Sequence, residues 1–303
     1  MAIKKGQNIR DLIPFGTKYR VVAKSTNCTV TLTGNTESAE TKDDVDMASK
    51  PVITSKSWSV QVESLDVTDT SAMITAISNA MPFTLVWDEV SLTDNQTPQA
   101  ATFARMGTAF LNDVTFQWDD RTNSTKQLQF TGSGALTKLA DAVSIELVTV
   151  DGAYTKGQFV RLFLGSDNSA VPAKVVAAAR SLSLHVSATL ESATTKDTEG
   201  DWDVQSVTGV SFDISSGALV GSDDVITSSV QDQDFASLED IYEAAAPVRF
   251  QIANVSGLNN RTKGIVICSG SVVVTQLTLN APNRQDATYS ATLTGYGALK
   301  ASA

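Results

Sequence analysis

The residues of this chain that are able to do chemistry are few and widely separated. The single histidine, His185, lies in the alternating pattern Leu184-His185-Val186, which turns it away from the apolar side of a strand. No serine or cysteine can be argued to partner it as a nucleophile, so we expect a solvated strand histidine and no catalytic base. One histidine and two separated cysteines, Cys28 and Cys268, cannot assemble the usual zinc ligand set.

Two short patterns imitate known binding sites. Gly132-x-Gly134 and Gly295-x-Gly297 resemble part of a dinucleotide fingerprint, but the third glycine is missing and no helix pattern follows. The acidic run at residues 197–203 does not have the spacing of a helix–loop–helix calcium site. We therefore predict no catalytic residue, no metal site and no cofactor, and we do not expect an enzyme.

Composition indicates a folded, acidic protein. The 303 residues are 42% hydrophobic and 18% charged, which suits two domains of ordinary size. A net charge of -10 argues against gripping nucleic acid through its phosphates, and it permits a surface past which nucleic acid slides. No secretory signal is visible and no apolar run is long enough for a membrane helix, so we expect reduced thiols, with an inter-repeat disulfide as the alternative.

The chain is one domain written twice. Short motifs recur in the same order in both halves: Lys5-Gly6-Gln7 as Lys156-Gly157-Gln158, Glu37-Ser38-Ala39 as Glu191-Ser192-Ala193, and Thr131-Gly132 as Thr294-Gly295. A copy of this length exceeds the roughly 20–50 residues of a stacked solenoid unit. Each copy is therefore predicted to be a whole fold, with domains at residues 1–140 and 141–303.

Both copies show the same predicted order of elements. An alternating strand is followed by a long polar loop (residues 33–56 and 192–208), a second alternating strand, a short helix that ends before a proline, and three more strands. Residues 137–155 are expected to form a strand-like connector. The prediction is a mainly β protein of two tandem β-sandwich or small-barrel domains, each with one flanking helix. The expected core anchors are Trp58 and Leu85 in copy one and Phe212 and Phe250 in copy two.

The order of these motifs resembles the major tail tube proteins of long-tailed, siphovirus-type bacteriophages. Copy two carries Thr195-Lys196-Asp197, Trp202 and then Val210-Ser211-Phe212-Asp213, and copy one carries Thr41-Lys42-Asp43 and then Ser57-Trp58. A flanking helix and a closing Gly-x-Gly strand follow in both. The resemblance spans nearly all of both copies, with departures at Trp202, which is answered by Ala48, and at Trp58, which is answered by Phe212.

This resemblance implies a virion structural protein. In that family six domains form a ring whose inner strands join into a continuous barrel, and rings stack into a hollow tube, so a duplicated chain implies three chains per ring. The implied partners are further copies of the chain, the tape measure protein, and the tail tip and terminator proteins. DNA would pass through the lumen without specific binding, and the protein would be assembled in the host bacterial cytoplasm and reside in the virion tail, with no membrane partner.

By analogy with the family's stacking loop, the two long loops are expected to make ring-to-ring contacts. The residues expected there are retained in both copies: Glu37, Lys42, Asp43, Glu191, Lys196 and Asp197. The alternative is that Lys42 and Asp43 merely close a surface turn.

Two other classes of protein fit the predicted fold. A tandem carbohydrate-binding or adhesive surface module would normally be exported and would present an aromatic platform, whereas the four tryptophans lie within apolar patterns. The inner tube of a contractile injection or type VI secretion system shares the fold, but its subunits commonly carry one domain per chain.

Overall fold

The computed structural model describes residues 6–15, 17–40, 49–65, 67, 69–91, 93–147, 155–176, 178–198, 200–220, 232–257 and 262–302. The described part of the first half forms β1 (Ile9–Phe15), β2 (Lys18–Val21), β3 (Ser25–Ser38), β4 (Pro51–Ser64), α1 (Thr70–Ser78), β5 (Pro82–Glu89), β6 (Arg105–Asp119), β7 (Thr125–Gly132) and β8 (Thr137–Lys138). The described part of the second half forms β9 (Val160–Leu164), β10 (Lys174–Val176), β11 (Ala179–Ser192), β12 (Gln205–Leu219), β13 (Asp232–Gln233), α2 (Phe235–Ala244), β14 (Val248–Val255), β15 (Lys263–Asn280) and β16 (Thr288–Ala301). The prediction of a mainly β fold with a helix in each half is confirmed.

Strand pairing repeats the duplication residue by residue. Cys28 lies opposite Val62 in β3–β4, and their equivalents in the repeat, Leu182 and Ser216, lie opposite each other in β11–β12. The β6–β7 register recurs in β15–β16 in the same way, including the irregularity after Leu111, which recurs after Val274. The two halves therefore share one fold down to this bulge.

Eight antiparallel strands form a continuous layer through both halves, in the order β3-β4-β7-β6-β11-β12-β16-β15. We call this the inner layer and define it by the stretches that pair: residues 27–33, 57–63, 127–131, 113–119, 181–187, 211–217, 288–294 and 276–280. The layer passes from copy one into copy two where β6 pairs with β11.

A second layer covers one face of the inner layer in each half, and the apolar core lies between. In copy one, β2, β1 and β5 continue from the first part of β6; in copy two, β10, β9 and β14 continue from the first part of β15. The Trp58 and Trp87 rings meet across the two layers with centroids 5.8 Å apart. The expected anchors are all buried in this core: Trp58, Leu85, Phe212 and Phe250.

Both helices pack against this core. Helix α2 begins at Asp234, whose carboxylate accepts a hydrogen bond from the Ser237 backbone N–H at 2.9 Å, a standard N-cap. Helix α1 begins after Asp69, which forms a buried ion pair with Lys126 of β7. Because β7 lies in the inner layer, this pair ties the start of α1 to the core. Neither described helix has the length or apolar content to span a bilayer.

The long polar loops were predicted too long. Strand β3 continues to Ser38 and β4 begins at Pro51, while β11 continues to Ser192 and β12 begins at Gln205. These extensions are rich in Ser and Thr and bury little apolar surface, so no hydrophobic signal marks them. Backbone hydrogen bonds between paired strands form regardless of the side chains, and they carry the hairpins outward.

The connector was also predicted incorrectly in part. Within its described residues, only β8 forms a short strand, against the start of β6, and Ile145 makes an isolated bridge to Tyr19. Residues 148–154 lie outside the described residues. The two cysteines are free thiols, Cys28 half-buried and Cys268 buried.

A glycine at the end of β7 makes room for the Trp58 indole. A Cβ added at Gly132 would overlap the indole, so we expect Gly132→Ala to lower the free energy of unfolding by about 1–3 kcal/mol through overpacking. Urea unfolding measures this loss. The matched control is Gly209→Ala in β12, where an added Cβ meets open space. An equal loss in both variants would contradict the packing argument.

Candidate assembly interface

The two faces of the inner layer differ because its side chains alternate. One face packs on the core, and the other carries Ser, Thr, Asn and Gln together with a few charged groups. Within the stretches that define the inner layer, the carboxylates on this polar face are Glu63, Asp113, Asp119 and Asp213. These stretches contain His185 but no lysine or arginine. The polar face is therefore uncharged over most of its area and acidic where it is charged.

The two copies join at an internal seam, which we define as residues 113–119 of β6 paired with residues 181–187 of β11. On its core side, Val114 lies opposite Val186, Phe116 opposite Leu184, and Trp118 opposite Leu182. All six side chains are at most 3% exposed. The seam is thus sealed by apolar contacts as tightly as the interior of either copy.

On the polar side of the seam, His185 is held between two carboxylates. Its Nε2 lies 2.7 Å from an Asp113 carboxylate oxygen and its Nδ1 lies 3.0 Å from an Asp213 carboxylate oxygen. Asp113 belongs to copy one and Asp213 to copy two, so the imidazole bridges the copies. The expectation of a merely solvated histidine is therefore incorrect. Asp113 is 72 residues away from His185, and no local spacing reveals such a contact.

Helix α1 also crosses the internal seam. It packs against β11 and β16 of copy two as well as β6 of its own copy. The Ser71 hydroxyl donates a hydrogen bond to the Ile267 carbonyl at 3.3 Å. The helix of one copy therefore covers the back of the next.

The second half of the loop between β11 and β12 fastens copy two onto copy one. The Lys56 backbone N–H donates to the Asp201 carbonyl at 2.6 Å, and the Lys56 ammonium lies 2.9 Å from the Asp201 carboxylate. The Gly134 backbone N–H donates to the Asp203 carbonyl at 2.8 Å. This segment makes lateral contacts within the chain.

The residues expected at ring-to-ring contacts are only partly placed. Glu37 is exposed on β3 and Glu191 is exposed on β11, near the ends of the two long hairpins. Lys196 and Asp197 are exposed in a turn closed by the Thr198 N–H and the Thr195 carbonyl, 3.0 Å apart. Lys42 and Asp43 lie outside the described residues. The role of these six residues stays a prediction.

Both ends of the inner layer are open. In the described part of the chain β3 pairs with β4 alone, and residues 276–280 of β15 pair with β16 alone. Large apolar side chains are exposed there: Leu32 on β3 is 63% exposed and Leu279 on β15 is 50% exposed. Open edges with apolar side chains favour strand pairing with another chain.

The sequence matches no family model and no curated protein. Solved structures similar to this chain include three tail or virion assemblies. The tail of an empty gene transfer agent particle, with C6 symmetry, has 17% identity and a TM-score of 0.37 over 50% of this chain and 100% of its own. The virion of a native gene transfer agent has 16% identity and a TM-score of 0.35, over 49% and 99%. The SPP1 tail tube has 13% identity and a TM-score of 0.32, over 48% and 78%.

The histidine bridge generates a pH-dependent prediction. Partial burial opposes protonation of His185, but its hydrogen bonds to the Asp113 and Asp213 carboxylates and their negative charges outweigh burial and raise the imidazole pKa above its ordinary 6.5. A raised folded-state pKa adds stability below that ordinary value, and this stability disappears as pH rises through the raised pKa. We expect His185→Thr, the copy-one residue, to lower the unfolding free energy at about pH 5.5 by up to ~1 kcal/mol, and by much less at about pH 8.5.

Urea unfolding at the two pH values checks this prediction. The control is Ser183→Thr, on the same face of β11, whose cross-strand partners Gln117 and Ser215 are uncharged. An equal loss at both pH values for His185→Thr would show that the bridge contributes no charge-dependent stability.

Proposed function

We propose that this chain is the tube subunit of a phage-type tail. Three copies form a pseudo-hexameric ring, and rings stack into a hollow conduit for DNA ejection. The observation that carries the proposal is an inner layer with one polar face, whose two open end strands, β3 and β15, are the repeat equivalents of β11 and β6, the strands that pair with each other inside the chain. The role is structural, with no substrate turnover.

Ring closure follows from how the two copies meet. The internal seam is head-to-tail, since β6 of copy one meets β11 of copy two and these are not equivalent strands. A head-to-tail contact repeated between chains produces a ring if the rotation closes, and an open filament if it does not. The sequence resemblance implies six domains per ring, and two domains per chain then require three chains.

The polar face suits the lining of a DNA conduit. Three chains contribute three times eight inner-layer strands, far more than the 16–18 strands that already leave an aqueous channel in porins. A lining of hydroxyl and amide groups with scattered carboxylates offers no cationic grip on phosphates, and its charge repels them. DNA would then pass without specific binding.

The proposal extends to partners and location by family resemblance. The tube would contact the tape measure protein inside it and the tip and terminator proteins at its ends, in the virion tail after assembly in the host cytoplasm. The carbohydrate-binding alternative is not adopted, because Trp58, Trp87 and Trp118 are buried and form no exposed platform. No observation favours the inner tube of a contractile system.

The experiment that tests the function is light scattering of the purified protein over a range of concentrations, with negative-stain images of the same samples. Hollow rings or tubes, with a smallest closed assembly of three chain masses, are expected. A strict monomer at the highest concentration, with specific glycan binding, would replace the tube by the adhesive-module alternative.

The loop residues generate a separate prediction about stacking. We expect Lys42→Glu combined with Lys196→Glu to leave rings intact and to block their elongation, because neither lysine belongs to the internal seam while charge reversal acts on the ring-to-ring contacts expected of the loops. Tube length in electron micrographs measures the effect. Lys138→Glu, an exposed lysine in β8 outside both loops, is the control. Tubes of normal length from the double variant would remove these loops from the stacking interface.

A further inference from the structure

We propose that the seam between chains repeats the internal seam: residues 276–281 of one chain pair antiparallel with residues 28–33 of β3 in the next chain. The partner is a second copy of this chain. This inference rests on the proposed function for the number of chains in the ring. It adds to that function the identity of the contacting strands and their register.

The register follows from the repeat equivalences already seen in the strand pairing. At the internal seam Phe116 of β6 lies opposite Leu184 of β11. The copy-two equivalent of Phe116 is Leu279, because the β6–β7 register recurs in β15–β16. The copy-one equivalent of Leu184 is Val30, because the β3–β4 register recurs in β11–β12. The seam between chains therefore places Leu279 opposite Val30.

Neighbouring positions obey the same rule. Val114 lies opposite Val186 at the internal seam, and their equivalents Leu277 and Leu32 lie opposite each other in the proposed seam. The two equivalences, β3–β4 with β11–β12 and β6–β7 with β15–β16, hold at several residue pairs and at the bulges. They therefore determine a single register for the proposed seam.

Exposure at the open edges matches this pairing. Val186 and Phe116 at the internal seam are both 0% exposed, whereas their equivalents Leu32 and Leu279 are 63% and 50% exposed. Every core-side position of both open edges carries an apolar side chain. An edge that stayed in contact with water would not need apolar side chains at these positions. Joining the two edges would bury them as their equivalents are buried.

A retained glycine gives an independent indication. Gly157 begins copy two, its N–H donates to the Thr122 carbonyl at 3.0 Å, and an added Cβ would overlap the Asp119 backbone. Its copy-one equivalent, Gly6, has nothing within 4 Å of an added Cβ. The contact that requires glycine exists at the internal seam and is missing at Gly6 in the single chain. In the proposed seam Gly6 meets the turn after β15 of the preceding chain, which explains why Lys-Gly-Gln recurs in both copies.

Helix α2 also has an exposed side chain where the equivalent side chain of α1 is buried. Helix α1 packs across the internal seam, and its Ile77 is 1% exposed. The equivalent residue of α2 is Tyr242, which is 49% exposed, and α2 packs chiefly on β15 of its own copy. The proposed seam brings β7 of the next chain beneath α2, as β16 lies beneath α1.

The two kinds of seam differ on the polar face. The residues equivalent to Asp113, His185 and Asp213 are Gln276, Thr31 and Ser59. The seam between chains therefore has no ionisable bridge, and a ring would alternate three bridged seams with three neutral ones.

One substitution tests the register, because the transferred pairing places the native Cys28 opposite Ala281 of the preceding chain. We expect Ala281→Cys, oxidised with copper–phenanthroline, to form disulfide-linked dimers and trimers on non-reducing gels, with no larger species within a ring. Each chain then carries one cysteine at its β3 edge and one at its β15 edge. In a closed ring of three chains the largest disulfide-linked species is therefore a trimer. Cys28→Ser in the same background should abolish the bands.

The control is Asn280→Cys, one residue away and on the opposite face of the strand. Rings in micrographs without Cys28-dependent bands, or with stronger bands from Asn280→Cys, would overturn the register and leave the tube function standing. Absence of both rings and bands would count against the function and the seam together. Bands that continue beyond the trimer would replace the closed ring by an open filament.

A second variant tests the seam without new thiols. We expect Gly6→Val to leave urea unfolding unchanged, because its surroundings are open in the single chain, and to abolish rings by light scattering. Gly209→Val, which also points into open space, is the control and should still form rings. Normal rings from Gly6→Val would contradict the proposed contact between Gly6 and the turn after β15 of the preceding chain.

Discussion

Unpaired backbone groups at the two ends of the inner layer are the constraint on which the rest of the structure depends. A sheet with an open edge invites further pairing, and most monomeric proteins block such edges with charge, proline or a covering element. Here residues 27–33 of β3 and 276–280 of β15 carry Thr, Asn, Gln and apolar side chains along their open edges. The internal seam shows how one such edge is satisfied, since β6 and β11 are the equivalents of these two strands, joined within the chain.

In the proposed ring, the duplication would place half of the seams within chains and leave the other half between chains. Some contacts that join the two copies have no counterpart at the equivalent positions of the described structure. Among them are the His185 bridge and the ion pair between Lys56 and Asp201. Because both copies are in one chain, each kind of seam would always join the same two strands. The two copies can therefore differ in sequence. In such a ring the polar face would vary in charge with threefold symmetry, while the core-side packing would keep a sixfold pattern.

The repeat, the strand alternation and the core anchors were all predictable from sequence, because they depend on local periodicity and on comparing the chain with itself. Trp58 and Phe212 stood out as aromatic residues at matching positions of matching strands. Lys126 did not, since a lysine on the core side of β7 is stabilised by Asp69, which is 57 residues earlier in the chain. The His185 bridge was missed for the same reason, and the retained Gly157 acquires its meaning only beside the Asp119 backbone.

The most direct test of this account is a cryo-electron microscopy reconstruction of the assembled protein, with symmetry determined from the images. The account predicts a ring of six similar domains whose symmetry is threefold once side chains are visible, with His185 density at alternate seams. Six complete chains in one ring, or a ring whose inner wall is not built from the inner-layer strands, would contradict it.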